Sequence, residues 1–386
     1  MIFNNIYISD FCRELYFHKQ NKLCRKLTSE VKRIDSITEF DAFKEYVSCE
    51  ILDRVKKINR SVLSTHRYGE EGQWYGHRRC IIEYCDFKYK NDNFLLPNIV
   101  HGAELVGFEL YREKIHRSAQ SLVTMSDYKI EQVHKYNPWL QVYPIGPYIY
   151  YARGYYDEKK VYGIKKNNGK TALYFPQHST ETASVDFDKS VARKDMKELL
   201  DKYDTVLVCI YWADVDDELF GFYKKMGAKL VSAGVRSDDN FIRRLRTLFE
   251  LSDDVYGNAL GTNLGYAIAM NKPYFFFSNN VKIIDEAIND GYLDEIGRIE
   301  SNVIKIWEEG NTKEKNNVYE KYWGGERFIR TKEEMRSIMN IQKKLLDISN
   351  GNICKIEEIV KEIVLKEKSK DFIDNEIKLI IESVNF

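Results

Sequence analysis

Between residues 165 and 280 short apolar runs recur, each bounded by turn residues: KTALYFP (170–176), TVLVCIYW (205–212), AKLVSAG (228–234), DDVYGN (253–258) and KPYFFFS (272–278). Runs of this length, rich in β-branched and aromatic residues, predict buried strands. Between them apolar positions repeat at helical spacing in RKDMKELLDKY, DELFGFYKKMG, NFIRRLRTLFELS and TNLGYAIAMN. Leu219, Phe222, Tyr223 and Met226 share one face of the second stretch, and Phe241, Leu245, Leu248 and Phe249 one face of the third. Strands alternating with helices predict a parallel sheet covered on both faces and joined by right-handed crossovers. Residues 75–150 repeat the pattern less clearly: NFLLPNIVHG reads as a strand ending at His101-Gly102, SLVTMS as a strand entering the helix DYKIEQVHKY, and QVYPIGP as a strand reaching a Pro/Gly turn.

The first sixty or so residues read as helices (SDFCRELYFHKQNKLCRKL, FDAFKEYVSCEILDRVKKI) flanking the first sheet. From about 300 onward the chain is helical and charged, as in EEMRSIMNIQKKLLDI, CKIEEIVKEIVLKEK and NEIKLIIESV. YARGYYDEKKVYGIKKNNG (151–169), rich in glycine and charge, reads as a linker. The expected fold class is α/β, with two Rossmann-like domains, a helical N-terminal flank and a helical C-terminal tail. Residues 1–155 form the first domain, 156–300 the second, and 301–386 a tail packing back on the first.

Composition narrows this. A chain of 386 residues exceeds what one core usually holds, and 44% hydrophobic content suffices for two. With 59 basic and 59 acidic side chains there is no global field favouring nucleic acid or an anionic membrane. The opening MIFNNIYISDFCRELYFHKQ carries acids early and no long apolar run, so no signal peptide is expected, and no run reaches the length of a membrane span. The expected location is the cytoplasm, with peripheral association at the inner face of the membrane compatible with it. Seven scattered cysteines (Cys12, Cys24, Cys49, Cys80, Cys85, Cys209, Cys354) lack zinc spacing and read as reduced thiols.

In an open parallel sheet ligands bind beyond the carboxyl ends of the strands. Here those ends carry Pro176, Gln177, His178, Ser179 and Thr180; Tyr211, Trp212, Ala213 and Asp214; Gly234, Val235 and Arg236; and Gly257, Asn258, Gly261 and Thr262. Gly261-Thr262 opens the helix TNLGYAIAM, where amide N–H groups and the helix dipole attract an anion and glycine admits close approach. The same residues also suit a plain cap and turn. No G-x-G-x-x-G follows the first strand, and Gly163 to Gly169-Lys170-Thr171 has one residue too many for a P-loop and runs into a strand.

The His-Gly strand end, the YPIGP strand, FPQHST and SDDVYGNALGTNLGYAIAMNKP together resemble bacterial GT-B glycosyltransferases of surface-polysaccharide (capsule or O-antigen) clusters and the related polymer-forming glycerophosphotransferases. The resemblance spans roughly residues 95–280. It implies a nucleotide-sugar donor held by the second domain and a glycan or lipid-linked acceptor held by the first. Carried over by position, His178, Gly257, Asn258, Gly261 and Thr262 become donor-binding residues, and His101 faces the interdomain cleft; Gln177, Ser179 and Arg236, which follow strand ends on the same edge, complete the expected donor set. GNALGTN stands where the glycerophosphotransferases carry a Ser-Ser turn, which favours a sugar donor over a CDP-glycerol-type one.

Displacement at an anomeric carbon needs a base for the acceptor hydroxyl and neutralisation of the leaving phosphate, which histidine, arginine and helix amides can supply without a metal. HGAE offers His101 and Glu104 as bases, and the residues do not rank them. No cofactor and no metal are expected, and no nucleic-acid partner: Leu245 and Leu248 set part of the basic run RRLR (243–246) on a buried face, leaving a solvated or phosphate-facing helix. Besides the CDP-glycerol-type glycerophosphotransferase, three alternatives stay open. Asp214 and Asp216 in YWADVDDEL have the spacing with which metal-dependent GT-A transferases hold a divalent ion, although an acidic first helical turn looks the same. The chain can also be a nucleotide- or sugar-binding module without turnover, or a helical scaffold whose charged tail docks on a membrane enzyme.

Overall fold

The computed structural model describes residues 75–87, 98–103, 105, 121–136, 140–178, 183–211, 217–234, 240–277, 281–285 and 290–349. The chain divides into two compact units: one holds the described residues up to Tyr151 and those from Tyr319 onward, the other runs from Ala152 to Val318. Both are mixed α/β with parallel sheets. The expected N-terminal helices and the tail beyond 349 lie outside the described residues.

The first unit opens with helix α1 (His77–Tyr84), then β1 (Asn98–Ile99), β2 (Ser121–Thr124), α2 (Tyr128–Tyr136) and β3 (Gln141–Pro144). Its three strands pair in parallel in the order β1-β2-β3, with Ile99 opposite Val123 and Val123 opposite Tyr143. Pairing continues past the strand ends, where the amides of Val100, Ile145 and Gly146 donate to the carbonyls of Val123, Thr124 and Met125.

The second unit begins with a correction. Residues 151–169 are not a linker: after a 3-10 turn ending at Tyr151 comes helix α3 (Glu158–Asn168). Asp157 caps it by accepting the Lys160 amide at 2.8 Å, and Gly169 ends it at φ 66°. A side chain at Gly163 would meet nothing within 4 Å among the described residues, so packing does not demand glycine there. Then follow β4 (Thr171–Phe175), β5 (Ala183–Phe187), α4 (Lys189–Lys202), β6 (Thr205–Cys209), α5 (Asp217–Lys225), β7 (Lys229–Val231), α6 (Phe241–Leu251), β8 (Asp254–Gly257), α7 (Thr262–Ala269), β9 (Tyr274–Phe276), β10 (Val281–Asp285), α8 (Asp290–Glu309) and α9 (Thr312–Trp323), which crosses the unit boundary.

Five parallel strands form one sheet in the order β7-β6-β4-β8-β9. Alternating residues of each strand feed opposite faces. Ala172, Tyr174, Val206, Val208, Leu230 and Tyr256 join Met196 and Leu199 of α4 and Tyr223 of α5 in one core layer. On the other side Phe175 meets Phe249 of α6, with ring centroids 5.6 Å apart. The chain leaving the carboxyl ends of β4 and β9 pairs once more as the antiparallel ribbon β5–β10, Ala183 opposite Asp285.

The chain then returns to the first unit. Trp323 is fully buried, as are Met335 and Met339 of α10 (Lys332–Ser349). The Gly324-Gly325 pair, both at positive φ, lies against the ends of β2 and β3: a side chain on Gly324 would strike the Met125 carbonyl, and one on Gly146 would come within 3.1 Å of the Gly325 carbonyl. Arg330 donates to the Pro144 carbonyl at 3.0 and 3.2 Å, and Arg327 holds Asp127 with both carboxylate oxygens at 3.0 Å.

Candidate functional site

In the second unit the chain builds outward from β4 through β6 to β7, then crosses back to β8 and β9. The direction of winding reverses between β4 and β8, and a crevice at the carboxyl ends of such a pair is where open α/β sheets bind ligands. Phe175 and Gly257 are opposite each other at that edge. One step beyond, Asn258 accepts the Gln177 amide N–H through Oδ1 at 2.6 Å. Asn258 is buried, so this bond ties the two loops at the reversal point. It brings Gln177, Gly257 and Asn258 together.

The loop into α7 is fixed at its other end as well. The Leu260 amide donates to Glu300 Oε1 of α8 at 2.7 Å. Burial pushes the Glu300 carboxyl up, and the Leu260 hydrogen bond opposes it. Gly261 is the N-cap of α7 and Thr262 its first helical residue, so the threonine does not cap the helix as its side chain suggested. Among the described residues nothing stands within 4 Å of where a Gly261 side chain would begin. Gly257 differs: a Cβ there would collide with the Tyr274 hydroxyl, so its glycine is dictated by a neighbouring strand. The Tyr274 hydroxyl is pushed above its ordinary range by burial and by Glu300.

His178, exposed at the end of the β4 loop, lies against Tyr211 past β6, with ring centroids 4.2 Å apart and planes 32° apart. Tyr211 is a neighbour that the strand reading noted without assigning a role. Arg244 departs from what its run leads one to expect. The run RRLR is neither solvated nor phosphate-facing at this position: Arg244 is 1% exposed, its Nη1 3.4 Å from the Ala233 carbonyl just past β7 and its guanidinium 5.0 Å from the Tyr155 ring. The signal was the helical spacing of Arg244 with Leu248 and Leu251, which sets it on the buried stripe. Ser179, Arg236, Asp214 and Asp216 lie outside the described residues.

His101 belongs to the first unit, half-buried just past β1. Its ring stacks on Tyr75 at 6.1 Å, and Tyr75 in turn meets His77 at 5.8 Å. Tyr75 takes φ 56°, a left-handed conformation unusual for a bulky residue, directly before Gly76 at φ 69°. His77 is buried edge-on to Tyr148 at 4.8 Å, and burial, with His101 nearby, pushes its imidazole down to about 3. Glu104, the competing base, lies outside the described residues.

The thiols of Cys85 and Cys209 are pushed up to about 12 by burial, and no disulfide joins Cys80, Cys85 or Cys209. Among the described residues no group of three histidine, cysteine or acidic side chains is placed to hold a metal ion, and no helix is long and apolar enough to cross a membrane.

No family model matches the chain, and no curated protein matches it. Among solved structures, the complex between a UDP-glucosyltransferase from Polygonum tinctorium capable of glucosylating indoxyl and 3,4-dichloroaniline aligns with 87% of this chain and 79% of that chain, at 12% identity and a TM-score of 0.25. So slight an overlap carries no argument by itself.

Proposed function

We propose that the second unit binds the nucleotide of a nucleotide-sugar donor at the reversal point between β4 and β8, and that the protein is a glycosyltransferase. The observation that carries this reading is the Gln177–Asn258 bond. It fixes two loops at the carboxyl edge of a parallel sheet, and α7 begins within a few residues of it. Gly261 and Thr262 open α7 where its amides and dipole favour a phosphate, with Gln177, His178, Ser179, Arg236, Gly257 and Asn258 completing the donor set.

In the reaction the acceptor oxygen bonds to the anomeric carbon, the bond from that carbon to the phosphate oxygen breaks, and the nucleoside diphosphate departs. His101 takes the acceptor proton, with Glu104 as the competing assignment. The acceptor is a glycan or lipid-linked glycan of bacterial surface-polysaccharide synthesis, a role supported by the sequence resemblance alone. No metal is required. His101→Ala is expected to bind the nucleotide sugar nearly as the parent does and to lose roughly 100- to 10,000-fold in transfer. Full turnover in His101→Ala with none in Glu104→Gln would exchange the roles. Activity lost to a chelator and restored by manganese would move the chemistry to Asp214 and Asp216.

A further inference from the structure

Four basic side chains lie on the stretch ERFIRTKEEMR (326–336) that returns to the first unit and opens α10. Arg327 holds Asp127, and Lys332 and Arg336 share Asp86 at 2.7 and 3.1 Å. Arg330 is the exception: among the described residues it forms no ion pair. Its Nε and Nη2 both donate to the Pro144 carbonyl, at 3.2 and 3.0 Å, which leaves Nη1 uncommitted among the described residues. One carbonyl needs no charge to satisfy it. A half-buried guanidinium without a counter-charge is costly, and burial pushes it down, with Glu334 and Tyr151 opposing. Glu334 is itself engaged, accepting the Thr331 amide at 2.9 Å.

The same arginine is held from both sides. Its backbone N–H donates to the Tyr151 hydroxyl and its carbonyl accepts from the Tyr84 hydroxyl, each at 2.9 Å, and those two rings meet edge-on at 4.9 Å. The Phe328 ring centre lies 5.7 Å from its guanidinium carbon and 4.5 Å from that of Arg327. All of this stands at the end of β3, on the carboxyl edge of the first sheet. A cation fixed in advance binds an anion without first paying to order its own side chain.

We propose that Arg330 anchors an oxyanion site in the first unit, which takes the phosphate or diphosphate of a phosphorylated ligand on the Nη1–Nη2 end of the guanidinium. The Nε–Nη2 side is spent on Pro144, and the remaining end presents two parallel N–H groups, the arrangement that matches two oxygens of one phosphate. The site goes beyond the nucleotide-binding reading. It stands whether or not the second unit binds a nucleotide.

The test uses the full chain and follows the Arg330 Nε–Hε resonance during titration with inorganic pyrophosphate, geranyl diphosphate and potassium chloride at matched ionic strength. Arg330→Lys assigns the resonance, and Tyr84→Phe, which releases the Arg330 carbonyl, assigns it a second way if the lysine variant does not fold. Pyrophosphate is expected to shift it and to saturate, while chloride leaves it in place. Arg330→Lys keeps the charge without the fork and should weaken binding about tenfold. Arg327→Gln, removing a guanidinium already held by Asp127, should weaken it less than twofold. Tighter binding of geranyl diphosphate than of pyrophosphate supports the site with a lipid-borne phosphate as ligand, and equal binding supports it with a soluble phosphate ester. No shift at millimolar pyrophosphate, a shift that chloride reproduces, or undiminished binding in Arg330→Lys overturns the proposal. The Thr262 amide reports on the second unit in the same spectra, so the failure of either reading is seen apart from the other.

Discussion

Gly257 shows how a residue can suit a ligand and yet be required by its own fold. The motif around it invites a phosphate, but the space a side chain would fill belongs to the Tyr274 hydroxyl. Gly257→Ala is therefore expected to destabilise the second unit by roughly 1–3 kcal/mol through overpacking, and adding Tyr274→Phe should recover part of it. Urea denaturation of the two single variants and the double one checks this; additive losses would mean that the two groups do not meet. Asn258 makes the complementary case. Asn258→Ala leaves the partly buried Gln177 amide without its acceptor, at a cost of about 1 kcal/mol. Asn258→Asp keeps an acceptor oxygen and should lose less, which the same denaturation series measures.

At the scale of elements, two buried titratable groups give the two units opposite responses to acid. Asp195 of α4 is 7% exposed, and burial with Glu198 nearby pushes its carboxyl up to about 6. Its folded value is raised, so its contribution to stability is complete below the ordinary carboxylate range and is lost as pH rises through about 6. The full span is about 3 kcal/mol. His77 of α1 is depressed to about 3, so its contribution is present above 6.5 and is lost as pH falls toward 3. Hydrogen exchange between pH 4 and 8 should show amides around α4 better protected in acid and those around α1 less so. Asp195→Asn and His77→Gln should each flatten the slope of its own unit, and an unchanged slope in either would dismiss that group as the cause.

The elements themselves were unevenly legible. Thr171–Phe175, Thr205–Cys209 and Asp254–Gly257 stood out because strands buried on both faces have to be apolar throughout. The β5–β10 ribbon did not, since five residues such as ASVDF between polar turns carry too little pattern and its partner lies some hundred residues away. Helix α3 is hidden in the sequence because its glycine and lysines resemble a linker. The signals that mark it are Asp157 before the first turn and Gly169 after the last.

For the whole molecule, sheet order decides where a ligand can bind, and sequence patterning gives strands without their order. The placement of β4 between β6 and β8 turned a scatter of polar loop residues into one edge with a reversal point. Gln177 and Asn258 were legible as residues of that edge; their bond was not, because it joins loops eighty-one positions apart. Arg244 shows the converse limit, a charge whose burial follows from helical spacing but whose neighbours depend on the fold. The central claim is that this edge holds a nucleotide, and equilibrium binding by the full chain tests it most directly. With UDP, CDP, GDP and their sugars, one nucleoside diphosphate should raise stability by roughly 2.7 kcal/mol at about 100 times its dissociation constant, and Asn258→Ala should weaken that ligand about tenfold through the loop it releases. Absence of binding by every nucleotide at millimolar concentration, or undiminished affinity in Asn258→Ala, would contradict the account.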